Sequence, residues 1–340
     1  MLGDVGPPRH GRGLLRGNEG GKGEPRFVGR RPLAPEKLAI AKEFRIIMET
    51  MTICLAVCLA LLPMQASAQA SVPATAAAAA KSYGFTDAEI ERILHGDVLT
   101  KDLTEGSNKE LAGVVAVWLP KPVAEFADIA LEGKLLKFDS SIRSLSVWKL
   151  DESADNAFTG LQVDAEQQAM LKERYEAYRK NGLKGTLPYA RGGKNAGSPG
   201  ELLALAIEET ESLERLPGYA EALLSFPADP LPGMEHRFFA YEQEVEGRPT
   251  FILSHRAAVR GEHHALITEQ RYYVSQTYNC RFIASDCFEV PGGTLVFYVS
   301  RVFTDQVAGF GSRLKHAIGR GRMLAKVAAN LKRDREQLKK

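Results

Sequence analysis

No apolar run in this 340-residue sequence is long enough to cross a bilayer. The run from Ile53 to Leu62 is about ten residues and stops at Pro63, whereas a spanning helix needs roughly 20 at 1.5 Å each. Metal and nucleotide signatures are missing as well. There is no H-E-x-x-H and no C-x-x-C. His263 and His264 are adjacent, so on a strand they point to opposite sides, and after the turn Arg260-Gly261-Glu262 they read as solvated. "GGKNAGS" (192–198) has no lysine where a phosphate loop needs one, and "GFGSRL" (309–314) lacks the third glycine of a dinucleotide fingerprint. The G-x-S-x-G elbow of many hydrolases is absent too. Neither a cofactor nor a metal is expected.

The short apolar run fits the core of a secretory leader instead. Lys42 and Arg45 precede it, and Ala66-Ser67-Ala68 and Ala68-Gln69-Ala70 follow as overlapping small-residue cleavage sites. Val57 is too bulky before Cys58 for a lipoprotein box. Residues 51–70 are therefore read as a signal peptide, and the mature protein as secreted across the inner membrane to a periplasmic location. Residues 1–50 are rich in Gly, Pro and Arg and show no hydrophobic periodicity, a composition that cannot bury a core. They read as an over-long gene model, with translation starting between Val28 and Met51, or as a disordered extension.

Charge and cysteine change with that division. The whole chain has 44 basic and 42 acidic residues, a formal +2. Residues 1–70 hold ten of the basic and six of the acidic ones, which leaves 34 against 36, a formal −2. No global electrostatic case for nucleic acid remains. Of four cysteines, Cys280 and Cys287 stay in the mature chain. Their separation permits a disulfide only if the chain turns or bulges between them, because a straight strand sends them to opposite sides.

From residue 71 the elements can be read in order. "SVPATAAAAAKSYG" (71–84) reads as an Ala-rich tether, and "TDAEIERIL" (86–94) as a helix with capping-box spacing at Thr86 and Glu89. "ELAGVVAVWLP" (110–120) reads as a buried strand, "KPVAEFADIALEGKLLKF" (121–138) as helical, and "SIRSLSVWKL" as another strand. Three helical stretches fill 164–225, the first running from an Asp164 cap to a Gly182 stop. Beyond the linker "PADPLPG" (227–233) the pattern predicts a meander of five antiparallel strands. A long helix from near Thr304 closes the chain, with Val307, Phe310, Leu314, Ile318, Leu324, Val327 and Leu331 expected on the sheet.

This α+β order resembles the START-like, or helix-grip, architecture, in which a curved antiparallel sheet wraps the last helix around a hydrophobic cavity. "FFAYEQEVEGRPTFILSHRAAVR", "EQRYYVSQTYN" and "GRGRMLAKVAANLKR" resemble stretches of an uncharacterised exported bacterial family of that form. The resemblance covers most of 85–335. It implies a START-like domain over 85–338, with 164–225 inserted to cap the cavity or to form a separate lobe.

Period-two alternation then selects candidate ligand contacts. Phe251, Leu253, His255, Ala257 and Val259 share a mostly apolar strand face, and Thr250, Ser254 and Arg256 share the other. The same parity groups Arg237, Phe239, Tyr241 and Gln243, and on the next strand Leu266, Tyr272, Gln276 and Tyr278. If those faces line one cavity, Tyr241, Leu253, His255, Tyr272 and Gln276 form an apolar, aromatic pocket with a few polar groups.

Three functions fit this reading. The first is an exported binding protein holding a hydrophobic small molecule or lipid. The second is a small cyclase- or hydrolase-like enzyme with His255 as general base. The third is an envelope scaffold that uses the inserted helices to hold a partner. The basic residues of the last helix add an expectation of peripheral contact with an anionic membrane surface.

The leader is directly testable. N-terminal sequencing of protein from its own envelope should begin at Gln69 or Ser71, and recovery of "GEPRFVGRRPLAPEK" peptides would overturn the assignment.

Overall fold

The computed structural model describes residues 72–340 except 155–156, 159, 189, 192–193, 196–197 and 229–230. The expected leader and the segment before it lie outside the described residues. The Ala-rich stretch is not a tether. It forms helix α1 (Ala74–Ser82), whose Ala76, Ala79 and Ala80 are buried. Helix α2 (Asp87–Leu94) carries the expected capping box: Thr86 Oγ1 accepts from Glu89 N at 3.2 Å, and Thr86 N donates to Glu89 Oε2 at 2.8 Å.

Strands β1 (Leu99–Asp102) and β2 (Glu110–Leu119) come next, then helices α3 (Val123–Leu131) and α4 (Lys134–Lys137) and strand β3 (Ile142–Lys149). The inserted region holds α5 (Ala165–Asn181), a two-residue ribbon of β4 (Ala190–Arg191) and β5 (Lys194–Asn195), α6 (Pro199–Glu208) and α7 (Tyr219–Ser225). Asp164 accepts from Gln167 N at 2.8 Å to start α5. Gly182 stops it at φ +57°, where a Cβ would fall 1.8 Å from the Phe226 carbonyl oxygen. The five-strand meander follows as β6 (Glu235–Val245), β7 (Arg248–Arg260), β8 (His264–Val274), β9 (Cys280–Val290) and β10 (Gly293–Phe303), and α8 (Ser312–Leu338) closes the fold.

Eight strands form one antiparallel sheet in the order β1-β2-β10-β9-β8-β7-β6-β3. The crossover through α3 and α4 carries the chain from β2, near one end, to β3 at the other. The meander fills the space between them. Both faces of this sheet are covered, which is why the burial of β2 is nearly continuous rather than alternating. On one face Val115, Val117, Ala258, Ile267 and Val296 meet α3 and α8 through Phe126, Leu324, Val327 and Leu331. On the other, Val114, Phe238, Leu253, Leu266 and Phe297 meet α1, α2 and the inserted helices through Ala80, Ile93, Tyr178, Leu203 and Leu223. The insertion therefore neither caps the cavity side nor forms a lobe of its own. It is a layer over the opposite face of the sheet.

Helix α8 departs from the sequence expectation in its first turns. It begins at Ser312 rather than near Thr304, after a 3₁₀ turn at Asp305–Val307 that buries Val307. Leu324, Val327, Leu331 and Leu338 lie on the sheet, and Gly113 of β2 makes room for Leu324: a Cβ there would meet its side chain at 2.7 Å. Phe310 is fully exposed, and Leu314 and Ile318 are 68% and 47% exposed. The six-residue step from Ile318 to Leu324 turns the helix by about 240° at 3.6 residues per turn, so the two sets cannot share a face. His316 and Arg320 fix the rotation by clasping Glu105, at 2.5 and 2.8 Å, which directs Leu314 and Ile318 away from the sheet.

Cys280 and Cys287 are not joined by a disulfide. They lie on the same unbroken strand, β9, and pack into opposite faces, Cys280 toward the inserted helices and Cys287 toward α8. No turn or bulge brings them together.

Candidate functional site

Between the sheet face and α8 lies a cavity of about 590 Å³. Ile267, Ile283 and Val296 line it from the sheet, Met323, Val327 and Leu331 from α8, and Phe126, Leu135 and Leu136 from the crossover helices. This apolar lining is broken by a group of charges rooted in the strands. Glu269 of β8 accepts from Arg256 Nη2 at 2.5 Å and from Arg271 Nε at 2.8 Å. All three side chains are buried. Arg256 also donates to the Ala130 carbonyl near the end of α3, and its guanidinium lies 4.3 Å from the Phe239 ring centre. Burial alone would raise the Glu269 carboxyl, but the two guanidiniums outweigh it and hold the group far below the usual carboxylate range. The floor of the cavity is thus two permanent positive charges sharing one negative charge.

A second charged group sits on α8. Arg333 donates to Asp334 Oδ1 at 2.9 Å and to Asn330 Oδ1 at 3.2 Å, and lies 3.5 Å from Asp139. Burial lifts the Asp334 carboxyl to about 6, Arg333 notwithstanding. At Asp139 burial works in the same upward direction, yet the Ser141 hydroxyl and amide, with Arg333 and Lys326, bring it below the ordinary value. Among the described residues no three His, Cys, Asp or Glu side chains converge as a metal site.

The sequence-selected residues fall in three places. Tyr241 is on the cavity side but behind the wall, with its hydroxyl 3.4 Å from Glu269 Oε1 and its ring beneath Arg271. Leu253, His255 and Tyr272 are on the opposite face, under the inserted helices. Gln276 lies beyond the end of β8, donating to the Pro249 carbonyl. One cavity does not unite them. The parity was sound within β7, but its apolar side faces the insertion and its Arg256 side faces α8. A register shift in the β7–β8 ladder at Leu253/Ser254, together with the end of β8 at Val274, also breaks the extrapolation to Gln276 and Tyr278.

His255 is a core residue. Its Nδ1 is 2.9 Å from the Tyr178 hydroxyl, which donates to Gln270 Oε1 at 3.0 Å, and its Nε2 is 2.9 Å from His236 Nδ1. Tyr178 stacks on Tyr272 with 3.9 Å between ring centres. Burial, and then the neighbouring His236, push the His255 imidazole well below its ordinary value, so it stays neutral. His264 also differs from the solvated reading. Its Nε2 lies 2.6 Å from the fully buried Asp286, which accepts from Arg215 at 2.6 Å and so ties the insertion to the sheet. Arg301 and Glu110, at 2.7 Å, make a second buried pair on that face.

No family model matches the chain, and no curated protein matches it. One solved structure, titled "Crystal structure of Ara h 8.0201", aligns over 71% of this chain and 98% of that one, at 8% identity and a TM-score of 0.29. A likeness that low carries no argument about fold or function.

The buried histidine yields a pH prediction. In the unfolded chain His255 binds a proton below about 6.5, whereas in the fold it does not. Its contribution is therefore present above that pH and is lost as pH falls toward the depressed folded value. His255→Gln should cost about 1–3 kcal/mol at pH 7.5 by disturbing the Tyr178–His236 chain. It should also flatten the loss of stability between pH 6.5 and 5. Denaturant melts across that range decide it; an unchanged midpoint at pH 7.5 would contradict the core assignment.

Proposed function

We propose that this chain is a binding protein of helix-grip form that holds a hydrophobic small molecule or lipid between its sheet and α8. The cavity carries the reading: about 590 Å³, apolar over much of its wall and backed by a rigid buried ion group. The order β2, two crossover helices, β3, meander and long final helix supports the helix-grip assignment. Export, as inferred from the leader, belongs to the same proposal. Native mass spectrometry of protein taken from its own envelope should reveal an added mass that solvent extraction removes. Val327→Trp and Leu331→Trp, which would fill the cavity from α8, should abolish it. A clean apo mass together with no uptake from a panel of lipids and isoprenoids would sink the idea.

The exposed start of α8 favours a second element, peripheral docking on an anionic membrane. Phe310, Leu314 and Ile318 recur every four residues as an unpartnered apolar stripe, and Val307 and Gly319 beside it line the cavity. Arg313 and Lys315 flank the stripe with no carboxylate partner among the described residues, so its charge suits an anionic surface. The protein should float with phosphatidylglycerol vesicles more than with phosphatidylcholine vesicles, and Phe310→Ser with Leu314→Ser should abolish flotation. Equal recovery with both vesicle types would remove the docking role.

A further inference from the structure

The cavity wall holds more positive charge than its own carboxylates neutralise. Arg256 and Arg271 share Glu269, Arg333 takes Asp334 and Asp139, and Glu244 is paired outward to Arg143 at 2.8 Å. Three lining cations remain with no carboxylate within 4.0 Å among the described residues: Arg281 of β9, and Arg322 and Lys326 of α8; Lys326 acts from beyond that distance on Asp139, a carboxylate that Arg333 approaches more closely, at 3.5 Å. Glu246, the remaining acidic residue of the lining, is exposed in the β6–β7 turn.

These three cations are brought together by the packing of α8. Arg281 Nε donates to Ser300 Oγ at 3.1 Å, and the same oxygen lies 3.7 Å from Met323 Sγ. Arg281 therefore sits under the turn of α8 that carries Arg322 and Lys326. Its other contacts are weak in charge: Nη2 is 3.5 Å from the Tyr298 hydroxyl, and the guanidinium lies 5.9 Å from that ring centre. Arg322 and Lys326 are four residues apart on one helix, a like-charge spacing that opposes helix stability unless a counter-charge intervenes. A half-buried arginine that gives its hydrogen bonds to hydroxyls alone, beneath two like charges at an apolar cavity, has the chemistry of an anion subsite.

We infer that the cavity ligand is an anionic amphiphile, with a carboxylate or phosphate head held by Arg281, Arg322 and Lys326 and an apolar body against Val327, Leu331 and the crossover helices. This rests on the binding reading above and narrows it to a chemical class. Charge-assisted hydrogen bonds from a guanidinium are stronger than neutral ones, so the head should confer about tenfold or more in affinity over a neutral analogue.

The test compares decanoate, decyl phosphate and decan-1-ol, with inorganic phosphate as the head alone, by calorimetry on the mature chain at low salt. Both anionic chains should bind at least about tenfold tighter than the alcohol, and inorganic phosphate should bind far more weakly than decyl phosphate. Arg322→Gln with Lys326→Gln, both at exposed positions, should bring the two anionic chains down to the affinity of the alcohol measured on the same variant; Arg281→Gln should do the same from the sheet side. Equal affinities for all three chains would overturn the anionic head while leaving the cavity reading intact. A preference that survives all three substitutions would assign the head to other residues and overturn the subsite. Inorganic phosphate binding as tightly as decyl phosphate would show an anion site with no apolar ligand. If none of the three chains binds, the cavity reading itself fails and the head group falls with it.

Discussion

One buried carboxylate organises the cavity side of this fold. Glu269 lies in the middle of β8 and is gripped by Arg256 from β7 and Arg271 from its own strand. Through Arg256 it reaches the last turn of α3, so a polar link joins sheet and crossover helix beside their apolar packing. Such a group is costly to bury and costly to break: removing one member of a buried ion pair typically destabilises by about 3–5 kcal/mol, because the remaining charge loses its compensation. Apolar packing of similar volume could hold the sheet equally well. What it could not supply is a fixed positive potential at the sheet wall of the cavity. The triad is therefore better understood as a condition of the site than as a source of stability.

The sheet's two faces divide the work. One carries the aromatic and histidine network under the inserted helices, where Tyr178, Tyr272, Phe238 and His255 pack together. The other carries the Arg256–Glu269–Arg271 group and the cavity. Burying both faces frees the cavity side from supplying all the hydrophobic stabilisation, so that it can keep arginines and an opening where a two-layer fold would need packed side chains. The insertion thus serves the cavity indirectly, by stabilising the sheet from behind. Asp286 makes this concrete, since it holds Arg215 of the inserted region and His264 of β8 together on the far side.

Much of this architecture was readable from local chemistry. The Thr86–Glu89 box, the Asp164 cap, the Gly182 stop and the turns of the meander each follow from short-range preferences, and they set the element order. The site was harder to read. Alternation in "FILSHRAAVR" separates His255 from Arg256 correctly, but it cannot say which side meets α8 when both sides are covered. The rule that apolar faces line pockets then chose the wrong one. The better signal was the charge itself: Arg256, Glu269 and Arg271 are ionisable residues in the middle of otherwise buried strands, and such residues persist only where they are paired or used. The exposed stripe on α8 was hidden for a different reason. Spacings of three and four looked continuous, while the step of six after Ile318 rotates the apolar side through most of a turn.

The place of β2 in the sheet has a consequence for how the molecule is made. Its long partner is β10, with Glu110 opposite Phe303 and Leu119 opposite Thr294. Its other neighbour, β1, is only four residues long. A chain emerging from its N-terminus therefore carries an apolar ten-residue strand whose main ladder cannot form until the last strand has been synthesised. Closing so long a loop is slow, and until it closes α8 has no complete sheet to lie on. Strand β2 therefore lacks its main partner until β10 has been made. That is a liability for a chain released to fold in a crowded compartment, and an advantage for one that must be threaded through a narrow pore before it folds.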